Sequence, residues 1–174
     1  MSGLGGGILT GLSLQTMANS DFYYGAYPAE YSNSLSGIFD MKMRNGNTTD
    51  FAHSVQLGIW GLDLSSEGPI SKKNGSSYLF NYRYSYSGLA DKISGSDEGL
   101  NYQDLAFKIN LPTKKMGTFT FWGIGLLDKI IQRPEDDPKQ WETSIERQEQ
   151  KANFQKGVIG MAHILSWNDN TYLR

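Results

Sequence analysis

The sequence predicts an all-β chain, folded as an antiparallel up-and-down meander, and three observations predict it. Apolar and polar residues alternate with period two in several segments, as in strands with one apolar face. Glycine (20) and tyrosine (10) are plentiful while proline is scarce (5), a composition that favours strands and turns over helices. The connections between the alternating segments are short and long in turn.

The first 47 residues have a texture of their own, with a glycine at nearly every bend. Within them Ile38-Phe39-Asp40-Met41-Lys42-Met43-Arg44 alternates and predicts one strand, closed by an Asn45-Gly46 turn. From Thr48 onward strand and turn repeat. Residues 51–59 place His53, Val55, Leu57 and Ile59 on one face, against Ala52, Ser54, Gln56 and Gly58 on the other. A tight bend near Trp60-Gly61 leads into a strand through Leu62, Leu64 and Ile70, and SKKNGSS supplies a hairpin turn centred on Asn74-Gly75. Next comes SYLFNYRYSYSG, in which Tyr78, Phe80, Tyr82, Tyr84 and Tyr86 form one aromatic face and Asn81, Arg83 and Ser85 belong to a polar one. In residues 102–111 Leu105, Phe107, Ile109 and Leu111 alternate with Ala106, Lys108 and Asn110. PTKKMG turns the chain into TFTFWGIGLL; FQKGVIGMAHILSW is a further strand, and Asn168-Asp169-Asn170 turns into the final TYLR.

Turns near 74, 115 and 169 are short, whereas the links at 88–101 and 128–153 are long and polar. Short turns on one side, long loops on the other and strands of about 9 to 11 residues are what a transmembrane β-barrel requires. A soluble meander can carry the same pattern, so the alternation leaves both open. The chain stops at TYLR, which looks like the opening of a strand, and an uncovered sheet edge is normally avoided; the chain is therefore expected to be cut there. No apolar run is long enough for a transmembrane helix. MSGLGGGILTGL lacks the basic start of a signal peptide, which read alone would place the product in the cytoplasm.

Residues 20–47, SDFYYGAYPAEYSNSLSGIFDMKMRNGN, resemble the end of the plug domain of TonB-dependent outer-membrane receptors of the Bacteroidetes type. Gly25-Ala26-Tyr27-Pro28-Ala29-Glu30-Tyr31 is similar to that family's "GafPAEYGnalSG", with Ser32 where glycine is usual, and Ser36 to Gly46 to its "gGvinI.tk.G". Glu67-Gly68-Pro69, Ser77-Tyr78-Leu79, Asn81 to Ser85, Tyr102 to Leu105 and Asn110 to Thr113 extend the resemblance over nearly the whole chain. It implies a partial transmembrane β-barrel preceded by the C-terminal part of a plug domain: residues 1–47 as plug, 48–174 as the first six to seven strands. It further implies active uptake of a nutrient (a glycan, peptide, siderophore or similar) across the bacterial outer membrane. The implied partners are outer-membrane lipid, the TonB complex through a region N-terminal to this chain, and in some receptors a surface lipoprotein. On that reading the aromatic face meets lipid, Arg83 points inward, and Glu30, Asp40 and Arg44 join Arg83 as plug–barrel contact candidates.

Other functions find little support in the residues. A net charge of −2 argues against nucleic acid as a partner, and Lys72-Lys73 and Lys114-Lys115 read as turn residues. Without cysteine there is neither a disulfide framework nor a thiolate metal site. His53 and His163 are far apart and lack acidic neighbours at metal-site spacing. GLGGGI lacks the context of a phosphate-binding loop and reads as an ordinary loop. Asp21, Glu30 and Asp40 could supply a glycosidase-like carboxylate pair, but carboxylates facing arginines are the simpler account. No enzyme, cofactor or metal is expected. In QRPEDDPKQWETSIERQEQK a helical turn is expected after Pro138, with Glu142, Arg147 and Glu149 outward, and Trp141 is the loop contact candidate. The alternative class is a small soluble β-sandwich that stacks its aromatic face on sugars.

Overall fold

The structure is a computed structural model that describes residues 13–25, 28–31, 37–58, 61–85, 99–132, 148, 150–168 and 171–173. The expectations for GLGGGI, Tyr27, Ser32, the Trp60 bend, Tyr86, Trp141 and the turn after Pro138 lie outside these residues.

Strands dominate. β1 (Asp21–Tyr24) and β2 (Gly37–Asp40) form a small antiparallel pair near two short 3-10 turns, Leu14–Thr16 and Ala29–Tyr31. β3 (Ala52–Gly58), β4 (Gly61–Ser71), β5 (Ser76–Ser85), β6 (Gly99–Pro112), β7 (Thr118–Gln132), β8 (Gln150–Asn168) and β9 (Thr171–Leu173) form one antiparallel sheet. Its strands follow sequence order with no crossover, the all-β meander that the alternation predicts.

Several local expectations need correction. The strand predicted over 38–44 is paired only to Asp40; beyond it a single bridge joins Met43 to Met17. Asn45-Gly46 is not a turn but an extended crossing: Gly46 is buried, and a Cβ there would overlap the Tyr78 carbonyl. Only a residue without a side chain lets the segment lie that close to β5. The Asn74-Gly75 pair is the second half of a four-residue turn, not its centre. Asn74 Oδ1 accepts from the Ser76 amide (3.2 Å) and hydroxyl (2.8 Å), and Gly75 alone takes positive φ (72°). The long links are shorter than expected, because β6 begins at Gly99, β7 runs to Gln132 and β8 starts at Gln150. The two-residue β3–β4 connection lies at the same end as those long links, a break in the simple short-and-long pattern.

Register fixes which side chains share a face. Tyr84, Tyr82, Phe80 and Tyr78 on β5 sit opposite Leu62, Leu64, Ser66 and Gly68 on β4, and opposite Gln103, Leu105, Phe107 and Ile109 on β6. The same face continues through Val55 and Leu57 on β3, Phe119 and Phe121 on β7, and Ile159 and Met161 on β8. It is apolar and uncovered: Leu57 is 76% exposed and Ile159 83%. The opposite face carries Asp63, Ser65 and Glu67 on β4, Asn81, Arg83 and Ser85 on β5, and Asp104, Lys108 and Asn110 on β6. This polar face is the covered one, and Asn81 is wholly buried.

Candidate functional site

The covered polar face and the segment lying on it, residues 13–17 and 42–47, form the candidate site. The two stretches run antiparallel. The Arg44 amide donates to the Thr16 carbonyl (3.0 Å) and the Ala18 amide to the Lys42 carbonyl (2.7 Å). That pairing aims the Arg44 side chain at β4. Its guanidinium grips Glu67 with both terminal nitrogens, Nη1 to Oε2 at 2.5 Å and Nη2 to Oε1 at 2.9 Å. Nε donates to the Gln15 carbonyl (2.6 Å), and Glu67 Oε2 also accepts the Asn47 amide (2.9 Å). Such a two-pronged, charge-assisted clamp fixes orientation as well as distance.

Two more contacts tie the segment down. Lys108 on β6 reaches the Met43 carbonyl at 2.6 Å. Ser13 donates to Asp63 Oδ2 (3.3 Å), whose other oxygen accepts the Asn81 amide at 2.6 Å. Within the sheet Arg83 pairs with Asp104 across the β5–β6 register, Nε to both oxygens at 3.0 Å and Nη2 to Oδ2 at 2.9 Å. Arg83 also lies over the Tyr102 ring, 5.9 Å from its centroid.

The residues singled out from sequence divide as follows. Arg44 bridges the segment and the sheet. Asp40 stays within the small pair: it shares Lys42 with Asp21, at 3.3 and 2.8 Å. Hydrogen bonds that it donates, first to Asp21 and then to Asp40, hold the Lys42 ammonium well above the ordinary lysine range. Glu30 is exposed in its 3-10 turn, and no salt bridge joins it to another described residue. Arg83 lies on the covered face, partnered by Asp104 of the same sheet. Asp63, Glu67, Asp104 and Lys108 were not anticipated, although Asp63 and Glu67 alternate with Leu62, Leu64 and Ser66 and so carried a readable polar parity.

Chemically the site is a polar interface. Among the described residues no group of three His, Asp or Glu side chains is placed to hold a metal. No helix among them is long and apolar enough to cross a membrane, which says nothing of crossing by strands. No protein-family profile, curated protein or solved structure matches the chain.

Proposed function

We propose that the chain is part of a TonB-dependent outer-membrane receptor, with residues 1–47 the end of its plug and 48–174 the first strands of its barrel wall. One observation carries the reading: the sheet is inverted. A half-covered sheet in water buries its apolar face and exposes its polar one. Here the apolar, aromatic face is bare and the charged face is covered. That arrangement suits a wall between lipid and a hydrated interior. Tyrosines near the strand ends then keep their rings in the apolar zone and their hydroxyls wet.

In this reading the Arg44–Glu67 clamp, the Lys108 contact and the Ser13–Asp63 contact seat the plug on the wall. Each is a polar contact that water can replace, so pulling through TonB, outside this chain, can shift the segment and open a path. The nutrient crosses into the periplasm with no bond made or broken. The test is a blot of fractionated source cells with an antibody against residues 134–150. A band in the outer membrane, heavier than the chain's 19.4 kDa, is the expected result. A soluble band at 19.4 kDa would overturn it in favour of a soluble sugar-stacking module.

A further inference from the structure

Two adjacent hairpin turns share one end of the sheet, and each carries a pair of lysines. The β4–β5 turn spans Lys72 to Gly75 and the β6–β7 turn follows Pro112. Two strand spacings, about 10 Å, separate them. Lys72, Lys73, Lys114 and Lys115 are all exposed, and none forms a salt bridge among the described residues. The acidic residues that strand order assigns to this end are few. Glu67 is clamped by Arg44 on the covered face, Asp50 precedes β3, and Asp169 falls between β8 and β9 in the sequence. The opposite end has the reverse balance in its sequence. Residues 86–98 hold Lys92 against Asp91, Asp97 and Glu98, and residues 133–149 hold three basic against six acidic side chains.

Next to the lysine turns, on the apolar face, comes a row of amphipathic rings. His53 Nδ1 lies 3.0 Å from the Ser66 hydroxyl, which lies 3.0 Å from the Tyr78 hydroxyl. His163 stacks on Phe119, centroids 4.2 Å apart, with Nε2 2.6 Å from the Met116 carbonyl. Beyond them the face turns aliphatic and aromatic, through Val55, Leu64, Phe80, Phe107 and Phe121.

Cations, then polar-tipped rings, then an apolar field is the layering of an anionic lipid leaflet seen from its surface inward. We infer that the short-turn end of the sheet is a binding surface for anionic phospholipid headgroups, an inference that rests on the membrane reading above. A nucleic acid or an acidic protein would match the lysines but leave the adjoining apolar face bare. A phospholipid matches both, with its phosphate at the turns and its chains along the sheet.

The test refolds the full chain from urea in the presence of vesicles and measures co-flotation. Phosphatidylcholine vesicles are compared with vesicles that also contain phosphatidylglycerol. At roughly fivefold per lysine near a charged surface, four lysines should raise affinity for the anionic vesicles by roughly six hundredfold. The preference should vanish near 1 M salt, where the screening length falls to about 3 Å. The variant K72Q/K73Q/K114Q/K115Q should bind phosphatidylcholine as before and lose the preference. Equal binding of the unaltered chain to both vesicles, or a preference that survives the four substitutions, would overturn the inference and leave the membrane reading standing. Failure to float with either lipid would overturn the inference, whereas the membrane reading stands or falls by the fractionation blot.

Discussion

Replacing Glu67 by alanine tests whether the clamp holds the N-terminal segment on the wall. The substitution removes the acceptor of three hydrogen bonds, two from Arg44 and one from the Asn47 amide. A hydrogen bond to a charged group contributes about 1.5–3 kcal/mol, and breaking a fully buried pair costs about 3–5 kcal/mol. An exposed pair is worth at most about 1 kcal/mol. The Glu67 side chain is 18% exposed and that of Arg44 35%, so the pair sits between these limits and water can take over part of the freed guanidinium. A loss of about 2 kcal/mol follows, or roughly thirtyfold in the opening equilibrium of the segment. Hydrogen exchange reads it directly, because the Arg44 and Ala18 amides are protected only while the segment is paired. Both should exchange roughly thirtyfold faster in micelles, with the β6–β7 ladder unchanged. Arg44→Ala should give the same result, and the double variant little more. An acceleration below about fivefold, under ~1 kcal/mol, or equal acceleration in the β6–β7 ladder, would refute the clamp.

Gly46→Ala would drive a methyl group into the Tyr78 carbonyl, a backbone atom that cannot swing aside. Lifting the segment should cost about 1–3 kcal/mol, typical of overpacking, seen as faster tryptic cleavage after Arg44 with the sheet intact. Asp104→Ala takes away the carboxylate that Arg83 holds with three contacts, in a pair that is mostly buried; it should lower urea stability by up to about 3 kcal/mol, with Asp104→Asn recovering part of the loss. Leu105→Arg puts a charge on the uncovered face between Tyr82 and Gly125. In vesicles it should cost about 2–4 kcal/mol near the midplane, while in a water-exposed sheet a surface change stays within about 0.5 kcal/mol. Equilibrium unfolding with and without lipid separates the two.

The faces of β3, β5 and β6 were legible in the sequence because side-chain alternation is a local property. Strand ends were not. Asn101, Asp128 and Lys129 read as loop residues, yet they pair in the β6–β7 ladder because backbone hydrogen bonding extends a strand whatever its side chains prefer. Asn45-Gly46 misled for another reason: glycine serves turns and close backbone crossings alike, and sequence does not say which. Arg44 stood out as a contact, but its partner Glu67 depends on how the segment docks onto β4. Likewise Asp104 meets Arg83 only through the β5–β6 register, and Asp40 finds Lys42 two residues away.

Most charged side chains on the covered face of the sheet lie near residues 13–47. On β7 and β8 the positions that continue this face include Trp122, Ile124, Leu126 and Val158 together with Asp128 and Lys156, and the Trp122 ring lies against Gly160. Asp63, Glu67 and Lys108 sit where residues 13–47 touch the sheet, each with a named partner, and Asp104 is tied to Arg83 beside them. A sheet using charge only for solubility would leave it in water; here Asp104 is 2% exposed. Burying a carboxylate is unfavourable unless a partner is held in good geometry, so these residues trade some stability for one defined seating. They also make that seating reversible. An apolar seam would lose about 25 cal/mol for each Å² returned to water, with nothing gained in exchange. A seam of ion pairs and hydrogen bonds regains hydration as it parts, so its net cost per contact falls to about 1 kcal/mol. In the proposed receptor, a segment that leaves the sheet under load and returns to the same register needs that kind of seam.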